Sequence, residues 1–158
     1  MSLRGKLVFE QEISSPGILF FEIYGSKKQY LPSICPDKLP SIELLEGNWG
    51  EVGCKLLVNY LIDGKLIPVK ETIETVDEDN RSMTYRILEG DLLKDYKSLL
   101  ITFQATSKGA KNFLNWTYEY EKQNLDVPAP DHMFDFASEV SNIIDAYFLK
   151  NQDHFQAS

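Results

Sequence analysis

Residues 54–76 read CKLLVNYLIDGKLIPVKETIETV, and this stretch decides the fold. Cys54, Leu56, Val58, Tyr60 and Ile62 are apolar or aromatic and share one face of an extended chain, while Lys55 and Asn59 mark the other. Asp63-Gly64 comes next. Both central residues of a tight two-residue hairpin turn need positive φ, and Asp-Gly supplies it. Lys65 to Val76 then returns, with Ile67, Val69 and Ile73 on one face and Glu74 on the other. Two alternating runs around such a turn predict an antiparallel hairpin.

Working outward, the same reading continues in both directions. Upstream, Ser41 to Glu46 precedes a loop bearing glycines, Glu46 to Gly53. Downstream, Asp77-Glu78-Asp79-Asn80 turns the chain, and Met83, Tyr85 and Ile87 align before Gly90. Lys97 to Ala105 presents Leu99, Ile101 and Phe103, and Ser107-Lys108-Gly109 makes the next turn. Lys111 to Lys122 sets Leu114, Trp116, Tyr118 and Tyr120 against Asn115, Thr117, Glu119 and Glu121. At the start, Leu3 to Ile13 alternates as a strand. Ser14 or Ser15 is the expected cap of a short helix, Gly17 to Tyr24, with Ile18 and Phe21, and beside them Leu19 and Phe20, on its apolar side. A second short helix over Ser26 to Leu31 is expected to stop at Pro32. Beyond Pro128-Ala129-Pro130, Asp131 is the expected cap of a long helix to about Lys150. Its apolar stripes are Phe134, Ala137, Ser141, Ile144, Phe148 and Met133, Phe136, Val140, Ile143, Tyr147. The predicted order is strand, two short helices, six strands, one long helix.

Composition narrows the function classes. With 158 residues the chain fits one domain, residues 1–158, and buries about 70% of its unfolded surface without staples. Sixteen Lys+Arg against twenty-four Asp+Glu give a net charge of −8, which disfavours nucleic acid and anionic lipid as partners. No apolar run is long enough for a membrane span, and Met1 to Lys6 leads into alternating sequence rather than a signal core. A cytoplasmic protein is expected, with Cys35 and Cys54 as thiols and the sequons at Asn80 and Asn115 without weight. His132 and His154 have no metal-type partner at helical spacing, so neither a metal site nor a Cys-His pair is expected.

Several blocks carry a resemblance: Ile34-Cys35-Pro36-Asp37-Lys38, Glu46-Gly47-Asn48-Trp49-Gly50, Ile62-Asp63-Gly64-Lys65, Leu88-Glu89-Gly90-Asp91, Tyr96-Lys97-Ser98 and Glu119-Tyr120-Glu121-Lys122. With the element order, they make the whole chain resemble the Bet v I superfamily and, within it, the plant major latex proteins. The resemblance implies an α+β helix-grip fold. In it a strongly curved seven-stranded antiparallel sheet wraps a long C-terminal helix, two short helices follow strand 1, and an apolar cavity lies between. A sheet with one apolar face and one long amphipathic helix must in any case pack together.

The inward aromatics Phe9, Tyr60, Tyr85, Phe103, Trp116, Tyr118 and Tyr120 read in two ways: as core, or as walls of a ligand pocket. Phenols in a dry core need buried partners, which a hydrated cavity supplies. With the resemblance, the expected lining is Phe9, Val58, Tyr60, Val69, Glu71, Met83, Tyr85, Phe103, Trp116, Tyr118, Phe134, Ala137 and Ser141. Alternation turns Glu71 inward between apolar neighbours. A buried carboxylate with a raised pKa suits a general acid or base, with Tyr85 as its catalytic partner; the other reading is a structural carboxylate held by Tyr85 or another phenol. In the norcoclaurine synthase branch a glutamate at the matching position works with a tyrosine and a lysine. Val69 and Met83 stand at those two positions here, which argues against amine–aldehyde condensation.

The loop 46–53 resembles the superfamily's glycine-rich loop but lacks the Lys-Ser/Thr ending of a nucleotide site, so it reads as a structural turn. No histidine pair or basic groove suggests a ribonuclease, and the hormone-receptor gate and latch strings are absent. The expected function is intracellular carriage of a small hydrophobic plant metabolite (terpenoid, sterol, fatty acid or alkaloid) in defence or secondary metabolism. The alternative is a cofactor-free cyclase or isomerase acting on a reactive terpenoid, such as an iridoid, or an alkaloid intermediate. No cofactor is implied, and a monomer or weak homodimer is expected.

Overall fold

A computed structural model describes residues 2–151 of the chain. The hairpin forms as its alternation predicts. Strand β3 (Lys55–Ile62) pairs antiparallel with β4 (Lys65–Asp77), Ile62 opposite Lys65. Asp63 and Gly64 take φ of 51° and 78°, the left-handed geometry their turn requires. The other strands are β1 (Arg4–Ile13), β2 (Ser41–Glu46), β5 (Ser82–Gly90), β6 (Tyr96–Lys108) and β7 (Lys111–Lys122). They form one seven-stranded antiparallel sheet in the order β1-β7-β6-β5-β4-β3-β2. Register shifts at Leu44/Glu46, Lys70/Glu71, Ile73/Thr75 and Tyr96/Ser98 each add a residue to one strand. Such bulges bend and twist a sheet, which here curves around helix α4 (Asp131–Lys150).

Between β1 and β2 lie α1 (Gly17–Tyr24), a 3₁₀ turn (Lys28–Tyr30) and α2 (Leu31–Ile34). A further turn of helix, α3 (Leu92–Asp95), joins β5 to β6 and was not expected, since four residues are too few to show a period. The second short helix runs through Pro32, which takes a first-turn position where its missing N–H costs nothing. Helix α1 turns Gly17, Phe20, Ile23 and Tyr24 inward, whereas Ile18 is exposed, a correction to the expected face. Gly17 fixes this rotation: a Cβ there would lie 2.8 Å from that of Ala105 on β6.

The expected caps are also corrected. Pro16 and Pro130 occupy the positions before α1 and α4, and no side chain caps either helix. The amides of Ser14 and Ser15 instead donate to the Asp145 carboxylate of α4, each at 2.9 Å. Gln11 Nε2 adds a bond to Asn142 Oδ1 at 2.9 Å. These contacts tether the C-terminal half of α4 to β1.

The core lies between the sheet's concave face and α4. Leu56, Val58, Ile73, Met83, Phe103, Leu114 and Tyr118 meet Val140, Ile144 and Phe148 there. Each such aliphatic side chain contributes about 1.5–3 kcal/mol of transfer free energy. Of the two expected helix stripes, Ser141, Ile144 and Phe148 are buried with Val140, while Ile143 and Tyr147 reach solvent. Cys35 and Cys54 are buried free thiols. Among the described residues no helix is long and apolar enough to cross a membrane. His154 lies outside the described residues.

Candidate functional site

Sheet and helix do not close everywhere. Between β3, β4, β5, β6, β7 and the first half of α4 lies a cavity of about 660 Å³. Its apolar walls are Val58, Ile67, Val69, Ile87, Ile101, Phe103 and Trp116, with Leu92 of α3 and Met133, Phe136, Ala137 and Val140 of α4. Ile62 and Asp63 of the hairpin and His132, Asp135 and Glu139 of α4 stand at its exposed rim. Lys38 reaches over that rim to Glu139, Nζ to Oε2 at 2.7 Å.

One side of the cavity is polar, and Glu71 is its centre. The carboxylate is 2% exposed. Lys28, 6% exposed, comes in from the 3₁₀ turn and places Nζ 2.7 Å from Glu71 Oε1. The Tyr60 hydroxyl donates to Oε2 at 3.1 Å. The Lys28 ammonium also stands 3.9 Å from the centroid of the Tyr85 ring, within cation–π range. Tyr85 donates its hydroxyl to the backbone carbonyl of Tyr24. Tyr24 shares a 2.6 Å hydrogen bond with Ser141. Of the inward strand phenols, Tyr60 and Tyr85 thus find protein partners, one of the two expected sources.

Burial alone would lower the Lys28 pKa, but the Glu71 charge beside it and the Tyr85 phenol outweigh this and hold it above the ordinary lysine range. Burial, reinforced by Glu71, drives the Tyr60 phenol well up. Tyr85 is pushed up to about 12 by burial, against the pull of Lys28. Tyr118 and Tyr24 rise through burial as well. At neutral pH the wall therefore offers one ammonium and several neutral O–H donors around Glu71.

Of the residues expected to line a pocket, Val58, Tyr60, Val69, Glu71, Tyr85, Phe103, Trp116, Tyr118 and Ala137 line this cavity. Four do not. Phe9 and Phe134 stack on each other, 4.2 Å between centroids and 7° between planes, and so fill the space between β1 and α4. Met83 is buried against α1, its Cε occupying the place of a Gly25 Cβ. Ser141 is wholly buried with its hydroxyl on Tyr24.

A lysine does stand beside Glu71, but it is Lys28 of the 3₁₀ turn and not a residue at position 83. No periodicity marks a lysine in a 3₁₀ turn. The one signal was a carboxylate turned inward, which demands a cation from somewhere. Among the described residues no three His, Cys, Asp or Glu side chains gather as a metal site needs.

The model of the pathogenesis-related protein Bet v 1 family matches residues 2–151. MLP-like protein 31 of Arabidopsis thaliana is 39% identical over 153 residues, which are 96% of this chain and 90% of that protein. MLP-like protein 34 of the same plant is 37% identical over 99% of this chain, which spans 50% of its length. The crystal structure of ginseng major latex-like protein 151 from Panax ginseng superposes with a TM-score of 0.88 at 35% identity, covering 92% of this chain and 97% of that one. Norcoclaurine synthase from Thalictrum flavum reaches a TM-score of 0.74 over 94% of this chain and 88% of its own, but at 18% identity that likeness is one of fold alone.

Proposed function

This chain belongs to the pathogenesis-related protein Bet v 1 family, and from that premise we propose that its cavity binds and carries a small hydrophobic plant metabolite inside the cell. Terpenoids, sterols, fatty acids and alkaloids are the candidate classes, and defence or secondary metabolism the setting. The observation that carries this reading is the cavity itself. Its volume of about 660 Å³ is within the usual range of small-molecule sites, and its walls are apolar except around Glu71. Guest binding would draw on apolar burial, with Tyr60, Glu71, Tyr85 and Tyr118 setting orientation. The protein would act as a cytoplasmic monomer or weak homodimer, without a cofactor.

An apolar fluorophore tests the proposal. It should bind the purified protein with low-micromolar affinity, about −8 kcal/mol, and be displaced by terpenoids or sterols. Absence of both binding and displacement would remove the cavity from any role in function.

A second reading, a cofactor-free cyclase or isomerase, is favoured by the ion pair in the cavity wall. A bound, folded guest could meet Glu71 as acid or base and Tyr85 as its partner. Incubating the captured metabolite separates the two: recovery unchanged identifies carriage, and a rearranged isomer identifies catalysis.

A further inference from the structure

We infer that the cavity selects apolar guests ending in a single hydroxyl group, which Lys28 and Glu71 grip together. The inference rests on the binding reading above and narrows its ligand class. A lysine ammonium has three N–H donors: one is used on Glu71, the Tyr85 ring and phenol take up a second, and one remains. A carboxylate has about four acceptor positions, and Lys28 and Tyr60 occupy two. Both groups line the cavity, so one unused donor and unused acceptor positions stand side by side at one end of an apolar space.

A hydroxyl is the guest group that answers both. It accepts from Lys28 through its oxygen and donates its proton to Glu71. An aldehyde or ketone only accepts, and leaves the carboxylate's capacity unmet. A guest carboxylate brings a second negative charge against Glu71 at short range, which a single ammonium already neutralised at 2.7 Å does not offset. A hydrocarbon strips solvation from the ion pair and returns nothing. The pair thus discriminates by requiring donor and acceptor on one atom.

The test is a matched series with one carbon skeleton: farnesol, farnesal, farnesoate and farnesene, each titrated by fluorophore displacement. Farnesol should bind at least about tenfold more tightly than farnesene and farnesoate, the usual consequence of hydrogen bonds to charged groups. The double variant Lys28→Met/Glu71→Leu keeps the cavity filled and uncharged, and should bring farnesol and farnesene to within about threefold of each other. Because it removes both charges together, it avoids leaving one buried alone. Equal binding of all four by the parent protein, or a preference for farnesoate, overturns hydroxyl selection and leaves the cavity's role standing. Persistence of the farnesol preference in the double variant also overturns it, placing the selective group elsewhere. Binding of none of the four, with no fluorophore binding either, removes the cavity reading and this inference with it.

Discussion

Removing the Lys28 ammonium should be among the most damaging single changes in the chain. In Lys28→Met the Glu71 carboxylate, 2% exposed, loses its counter-ion and keeps only the Tyr60 hydroxyl. Breaking one side of a buried pair costs about 3–5 kcal/mol, read as a shift in the urea unfolding midpoint. Adding Glu71→Leu should restore most of that loss, since replacing a whole buried pair by apolar groups is often neutral or stabilising. A Lys28→Met protein as stable as its parent would show that Glu71 needs no cation. Half of this arrangement was legible in the sequence. Alternation through Ile67, Val69 and Ile73 turned Glu71 inward, because strand geometry leaves no other face for it. Lys28 was hidden because it lies in a three-residue turn 43 positions away, where neither period nor motif constrains direction. Met83 stood where a strand lysine was sought, and the cation arrives instead from the helical side.

Helix α4 divides into two halves with different duties. Its C-terminal half is held by Ile144 and Phe148 in the core and by Asp145 on the amides of Ser14 and Ser15. Its N-terminal half roofs the cavity with Met133, Phe136 and Ala137, all only partly buried. An indole at position 137 should therefore enter the void rather than a packed core. Ala137→Trp is expected to weaken fluorophore binding at least about tenfold, about 1.4 kcal/mol, with little change in the unfolding midpoint. Undiminished affinity in that variant would move the guest away from α4. The helix was readable from its wide apolar arc, yet the arc did not say which part packs and which part roofs. Phe134 shared a stripe with Ala137, but stacking on Phe9 took it out of the cavity. Such choices depend on which strand residue stands opposite, and β1 comes more than a hundred residues earlier.

For the molecule as a whole, alkaline pH is the natural stress. Burial holds Tyr24, Tyr60, Tyr85 and Tyr118 above the ordinary tyrosine range, and the Glu71 charge holds Lys28 above the ordinary lysine range. Cys35 rises from 9.0 to about 11 through burial. Each group keeps its proton longer folded than unfolded, so its contribution is complete below the unfolded value and is lost as pH climbs toward the folded one. Stability should accordingly decline from about pH 9 and steepen above about 10, with the phenolate absorbance of these buried tyrosines appearing together with unfolding. Phenolate formation by Tyr24, Tyr60, Tyr85 or Tyr118 at pH 10 in a protein still folded, followed in single Tyr→Phe variants, would contradict the burial of these side chains. The architecture was legible because hairpin signals recur along 41–122, and neighbours in sequence became neighbours in the sheet. The exception is β1, which pairs with β7 from Arg4 opposite Glu121 to Ile13 opposite Asn112. That pairing has a consequence for the birth of the protein. At about 5–20 residues per second, a ribosome leaves β1 without its partner for roughly 5–20 s. Through that interval Arg4, Lys6, Glu10 and Glu12 are what keep the waiting edge in water. Trp116 and Tyr118 arrive with β7 itself, and the roof from α4 is made later still. A nascent chain therefore has no enclosed cavity until translation has passed α4, and a guest of the kind proposed would enter only after that.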